Sequence, residues 1–210
     1  MTILALEFSS ERRSVALSQN GAVVTEAVEQ TGGRGTNAFA LIEKVLAQTR
    51  ISRAEIGTIA VGLGPGSYTG IRAAIAIAQG WQLASGVKLL GVSSAESIAA
   101  QAQSGKILGR VNVVIDAQRG EFYLATWEIA VDERKEISPL KIVPAAEIRS
   151  RQDAGEICLG PEMTVKTFPG AAMVARLASG RTGFLPGEQL EPIYLREASF
   201  VKSPPPRLVV

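Results

Sequence analysis

The sequence predicts an α/β fold built from two related units, and three observations predict it. The chain opens as apolar runs parted by turn residues, a three-strand antiparallel meander. From Ile56 to Gln103, apolar strands alternate with helical stretches. Near residue 111 the opening pattern returns in weaker form: an apolar strand ending in a carboxylate, a short polar turn with arginine, then a second strand. A chain of 210 residues allows one domain or two small lobes.

Residues 3–8 form the first strand, and Ser9-Ser10-Glu11-Arg12 turns the chain into a second strand at Ser14–Ser18. Asn20-Gly21 is a hairpin signal, because both central positions of a type I′ turn need positive φ. Ala22–Val28 is the third strand. After a loop at 31–35, Thr36 or Asn37 caps a helix to about Gln48, with Phe39, Ile42, Val45 and Leu46 along one face. Ser52 to Glu55 fits a capping box. Ile56–Leu63 is a strand, 64–70 a glycine-rich loop, and 71–85 a helix apolar nearly all round, hence covered on more than one side. Lys88–Val92 is a strand, and Ser93 or Ser94 opens a helix to about Gln103. Val111–Ile115 ends in Asp116, and Glu121–Glu128 follows the turn. Nine of the ten prolines lie beyond residue 138, which predicts a more irregular half. Asp132–Glu136 reads as a solvated charge run, and Pro204-Pro205-Pro206 as the start of a frayed tail.

Two counts exclude more chemistry than the rest. There is no histidine, which removes Ser–His and Cys–His nucleophile pairs and every histidine-ligated metal site. There is one cysteine, Cys158, so no intrachain disulfide forms; it reads as a small buried hydrophobe. No apolar run is long enough to span a bilayer and no basic leader opens the chain, so a cytoplasmic location is expected. The net charge of +2 is spread evenly over both halves, with no basic lobe for nucleic acid.

The sharpest local feature runs from Gly64 to Arg72, between an apolar strand and an apolar helix. Gly64, Gly66 and Gly70 permit close backbone approach, while Ser67, Thr69 and Arg72 add hydroxyls and a charge at a helix N-terminus. It is neither a G-x-G-x-x-G nor a P-loop pattern, and it reads either as a tight structural turn or as a nucleotide or anion contact. Glu7 and Asp116 end equivalent strands; they could hold a metal–nucleotide, but the favoured reading is a carboxylate accepting turn N–H bonds. No catalytic residue and no metal site are assigned. On the helix 71–85, Ile71, Ala74, Ile75, Ala78 and Gln82 form one stripe, and the small residues Ala73, Ala76, Gly80 and Ala84 form another that lets a second helix approach.

The stretches ILALEFSSERRSVAL, GLGPGSYTGIR, GVSSAESIA, VVIDAQRGEFYLATW and EPIYLRE together resemble the TsaB (YeaZ) family. The resemblance covers residues 1–130 well, is thin over 131–190 and returns at 192–197. It implies an actin/hexokinase/Hsp70-like ATPase (ASKHA) fold, divided into an N-terminal lobe over 1–105, a smaller degenerate lobe over 106–202 and a tail at 203–210. It also implies a non-catalytic subunit that binds and activates TsaD, together with TsaE, in threonylcarbamoyl transfer to tRNA adenosine (t6A modification). TsaD uses a histidine-ligated metal, which this chain has no residues to build. Homodimers are implied when the chain is alone, contact with tRNA only through the complex, no required cofactor, and ATP or ADP at a subunit interface. Carried onto this sequence, the partner interface falls on Asn37, Leu41, Val45, Ile71, Ala74, Ile75, Ala78 and Trp81. Glu7 stands where relatives usually have Asp, and residues 33–38 lack the family's usual histidine-containing stretch. The alternative is a small nucleotide-binding ATPase or kinase of the same superfamily. A peptidase is disfavoured, because Ser67 has no histidine to serve as its base.

Overall fold

A computed structural model describes residues 1–31 and 37–196. The expected tail and the stretch 33–36 lie outside the described residues, as does Thr36, one of the two expected helix caps.

Two five-stranded mixed sheets carry the chain, and they share one topology. The first contains β1 (Thr2–Glu7), β2 (Arg12–Gln19), β3 (Ala22–Gln30), β4 (Thr58–Gly62) and β5 (Lys88–Val92), in the order β3-β2-β1-β4-β5. The second contains β6 (Gly109–Asp116), β7 (Glu121–Ile129), β8 (Arg134–Pro144), β9 (Ile157–Gly160) and β10 (Val165–Lys166), in the order β10-β9-β6-β7-β8. In each, an antiparallel meander is extended by two parallel strands on the far side of its first strand. The weak hairpin similarity in the sequence is thus a duplication of the whole sheet, and the fold is the two-lobed ASKHA plan that the resemblance implies.

Among the described residues, five α-helices cover the sheets: α1 (Ala38–Thr49), α2 (Tyr68–Ser85), α3 (Ser94–Ser104), α4 (Ala145–Asp153) and α5 (Ala171–Ala178). Strand periodicity assigns the faces. In β1, Leu4 and Leu6 point into a core shared with α1 and α2, while Ile3 and Ala5 point into a second core under α5. In β6, Val111, Val113 and Ile115 meet α3, and Val114 faces the core of α4. Both faces of both sheets are covered, which explains why the central strands read as continuous apolar runs. Packing does not follow the division of the chain at residue 105: α3, expected in the first lobe, lies on the second sheet, and α5 lies on the first.

Local chemistry closes the predicted turns. Asn20 and Gly21 both have positive φ, 50° and 85°, as a type I′ turn demands. Asn37 caps α1 by accepting from Ala40 N at 3.2 Å. The Glu55 carboxylate accepts from both the N–H and the hydroxyl of Ser52, each at 2.8 Å. The proline-rich half departs from expectation, because it contains β8, α4, β9, β10 and α5. Pro139 and Pro144 sit in β8, an edge strand, where a missing N–H need not break the ladder. The charge run read as solvated at 132–136 supplies the start of that strand from Arg134 onward.

Candidate functional site

Two surfaces stand apart from the packed cores: a cleft between the lobes and an apolar groove between α1 and α2. The cleft encloses about 960 Å³ and has Ser9, Ser67 and Thr69 on one side, Asp116 and Arg119 on the other. The glycine loop forms its first-lobe wall. Gly64 and Gly66 take φ of +88° and +144°. A Cβ on Gly66 would overlap the Ser9 carbonyl, and one on Gly70 the Phe8 carbonyl, so the glycines allow the loop to lie directly on the β1–β2 turn. Ser67 N donates to Ser9 O at 2.7 Å, and Ser67 Oγ caps α2 by accepting from Gly70 N at 3.3 Å. This capping starts α2 at Tyr68, three residues earlier than the sequence reading. Gly64 and Gly70 are buried, Gly66 and Ser67 are half-buried, and Thr69 and Arg72 are exposed. The Arg72 guanidinium donates to the Tyr68 hydroxyl at 3.0 Å.

The two strand-end carboxylates behave as acceptors of local bonds. Glu7 is fully buried. Its Oε1 accepts from Ser9 N and its Oε2 from Ser94 Oγ, each at 2.8 Å, and Gly62 lies flat against the carboxylate because a Cβ there would overlap it. Burial pushes the Glu7 carboxyl above the ordinary glutamate value, opposed by the bonds from Ser9 and Ser94. Asp116 Oδ1 accepts from Gln118 N at 2.8 Å and Oδ2 from the Gln118 side chain at 2.6 Å. Glu7 does not fit a magnesium–nucleotide: a ligand carboxylate must face the cleft, and Glu7 is fully buried with both oxygens engaged. Among the described residues, no three potential metal ligands converge.

The expected interface residues divide sharply. Leu41, Val45, Ile71, Ala74, Ile75 and Ala78 are buried in the chain's own core and present no docking surface. This is a correction, and its cause is the all-round apolarity of α2, which left two stripes to choose between. The sheet takes the stripe 71-74-75-78, and the small-residue stripe Ala76, Gly80 and Ala84 stays outside. Asn37 is exposed as the cap of α1, and Trp81 is half-buried on the groove wall. Phe39 is also corrected: Ile42, Val45 and Leu46 turn inward, whereas Phe39 is 65% exposed.

Together, Phe39, Ala76, Ile77, Gly80, Trp81 and Ala84 line an apolar groove of about 760 Å³, with an Arg53–Glu43 ion pair at its edge. Leu83, absent from the sequence reading, projects nearby at 90% exposure. The signal that could have found it was a leucine without charged neighbours, on the small-residue side of α2. Cys158 is buried, as expected, in the core under α4.

The cleft, the duplicated sheet and the outward apolar helix face define a duplicated α/β protein with the two-lobed ASKHA form. A family model for TsaD, tRNA N6-adenosine threonylcarbamoyltransferase, matches residues 35–152. The Escherichia coli tRNA threonylcarbamoyladenosine biosynthesis protein TsaB is 34% identical over 61% of this chain; the match spans only 55% of that protein. TsaB of Bacillus subtilis is 25% identical over 97% of this chain and 99% of its own length. The crystal structure of YeaZ from Pseudomonas aeruginosa shares the fold, with a TM-score of 0.78, 24% identity, and coverage of 92% of this chain and 99% of that one. The chain belongs to this family, in its TsaB (YeaZ) branch.

Proposed function

We propose that this chain is a non-catalytic subunit in the biosynthesis of threonylcarbamoyladenosine in tRNA. Its relatives carry that process in their names. In this reading it docks on a TsaD subunit through the α1–α2 groove, with TsaE joining the pair, and acts without a cofactor of its own. The observation that carries the reading is the groove itself. An apolar channel flanked by exposed Phe39 and Leu83 is suited to the apolar face of a partner helix. The same face would join two copies of the chain when no other partner is present. Contact with tRNA would come through the complex, since neither half carries a charge excess. No described helix is long and apolar enough to cross a membrane, which accords with work in the cytoplasm.

The alternative, a nucleotide-hydrolysing or phosphoryl-transferring enzyme, is opposed by the sealing of Glu7. Co-elution of the purified chain with TsaD from the same source tests the docking. A stable complex supports it, and separate elution of two folded proteins overturns it. Calorimetry with magnesium–ATP tests the alternative, which needs micromolar binding by the isolated chain.

A further inference from the structure

Beyond α5 the chain runs along the first lobe and then crosses to the second. It first follows the first lobe. Leu185 N donates to Leu89 O at 3.0 Å, along the open edge of β5. Gly187 is held between two side chains of α2: its carbonyl accepts from Gln79 Nε2 at 2.8 Å and its N–H donates to Gln82 Oε1 at 2.7 Å. Leu190 enters the first-lobe core, and Ile193 N donates to Leu63 O at 2.8 Å. Tyr194 then stacks on Tyr68 at the start of α2, with ring centroids 5.3 Å apart and planes 22° apart. Two residues later the chain is on the other lobe. Arg196 Nη2 donates to Ala117 O at 3.1 Å and to Glu121 Oε2 at 2.5 Å, both on the hairpin between β6 and β7.

These contacts matter because of where they lie. The lobes also meet where α3, packed on the second sheet, touches α5, packed on the first. There Gln101 Nε2 donates to Phe168 O at 2.8 Å and Gly170 N to Ser97 Oγ at 3.4 Å. Tyr68, Tyr194 and Arg196 instead line the cleft. A two-lobed body joined at one crossing is free to hinge about it. A second tether, fixed to the first lobe at several points and to the second through one arginine at the cleft, opposes that motion.

We infer that residues 185–196 form a strap whose Tyr194–Arg196 end clasps the lobes together and holds the cleft at one width. The strap makes the chain a rigid body and not a hinged one. The inference stands apart from the docking reading, since the clasp lies at the Tyr68 end of α2 and needs no partner.

The experiment measures the lobe separation directly. Cysteines for spin labels replace exposed Lys44 in the first lobe and exposed Asp132 in the second, in a Cys158→Ala background. A Lys44/Ala22 pair, both exposed within the first lobe, serves as control. Electron–electron distance distributions are recorded for the full chain and for Tyr194→Ala/Arg196→Ala, with Glu121→Gln as a variant that removes only the ionic partner. The expected result is a narrow interlobe distribution that broadens or shifts in the double variant, moves in the same direction and less in Glu121→Gln, and leaves the control pair unchanged. An interlobe distribution unaltered in the double variant overturns the inference. So does equal broadening of the control pair, which would make these residues part of the first-lobe core and not a clasp.

Discussion

Leu83 gives the docking proposal its sharpest energetic test. Its side chain is 90% exposed, so the free chain gains almost nothing from it. Truncation to alanine removes three carbon atoms, each worth up to about 0.8 kcal/mol when buried. Incomplete burial in the complex brings the loss to about 2 kcal/mol. At 1.4 kcal/mol per tenfold change, Leu83→Ala weakens partner binding about 30-fold. Stability of the free chain should change by less than about 0.5 kcal/mol, because nothing packs on the side chain. Isothermal titration calorimetry against TsaD reads the first quantity, and thermal unfolding of the isolated chain reads the second. Val131→Ala, exposed on the second lobe, serves as the control and should leave binding unchanged. A dissociation constant for Leu83→Ala within about threefold of wild type, in a fully folded protein, would refute the reasoning.

Three further outcomes follow from the core and the sealed carboxylate. Ala78→Arg places an unpaired charge where no solvent reaches, so it should cost more than about 4 kcal/mol and appear in urea melts as loss of folded protein. Gly70→Ala forces a Cβ into the Phe8 carbonyl, and its urea midpoint should correspond to a loss of about 1–3 kcal/mol. Burial raises the Glu7 carboxyl above its ordinary value, so the folded chain binds that proton more tightly than the unfolded chain does. The resulting stability is full below the ordinary glutamate value and is lost as pH rises through the raised one. Glu7→Gln keeps an oxygen for Ser9 N and lacks the ionisation, so its melting temperature should not show that decline; parallel pH profiles for the two proteins would contradict the assignment.

Much of the fold was legible because its strongest signals are local. Asn20-Gly21 fixes a hairpin through backbone sterics alone, and Asn37 fixes a helix start through a single hydrogen bond, whereas the Ser67 cap of α2 was not read. The carboxylates were also legible: Glu7 and Asp116 accept turn N–H bonds, as strand-end acids do. What escaped was the choice between faces. Alanine, glycine and isoleucine surround α2 on every side, so helical periodicity could not tell which stripe the sheet would take. Both stripes were visible; the structure buries Ile71, Ala74, Ile75 and Ala78 and leaves Ala76, Gly80 and Ala84 exposed. In the second half, prolines suggested irregularity, yet an edge strand absorbs two of them. The strap was invisible for a different reason. Its partners, Leu89, Gln79 and Glu121, lie 75 to 108 positions away along the chain, and only the folded backbone brings them together.

We propose that this chain contributes a docking surface, and not catalysis, to tRNA modification. The most direct test is an omission assay. TsaD, TsaE and the enzyme that forms threonylcarbamoyl-adenylate, all from the same source, are incubated with unmodified tRNA, ATP, threonine and bicarbonate. Threonylcarbamoyladenosine is then scored with and without this chain. Product is expected only when the chain is present, and less of it at limiting concentrations of Leu83→Ala. Equal product without the chain would contradict the proposal.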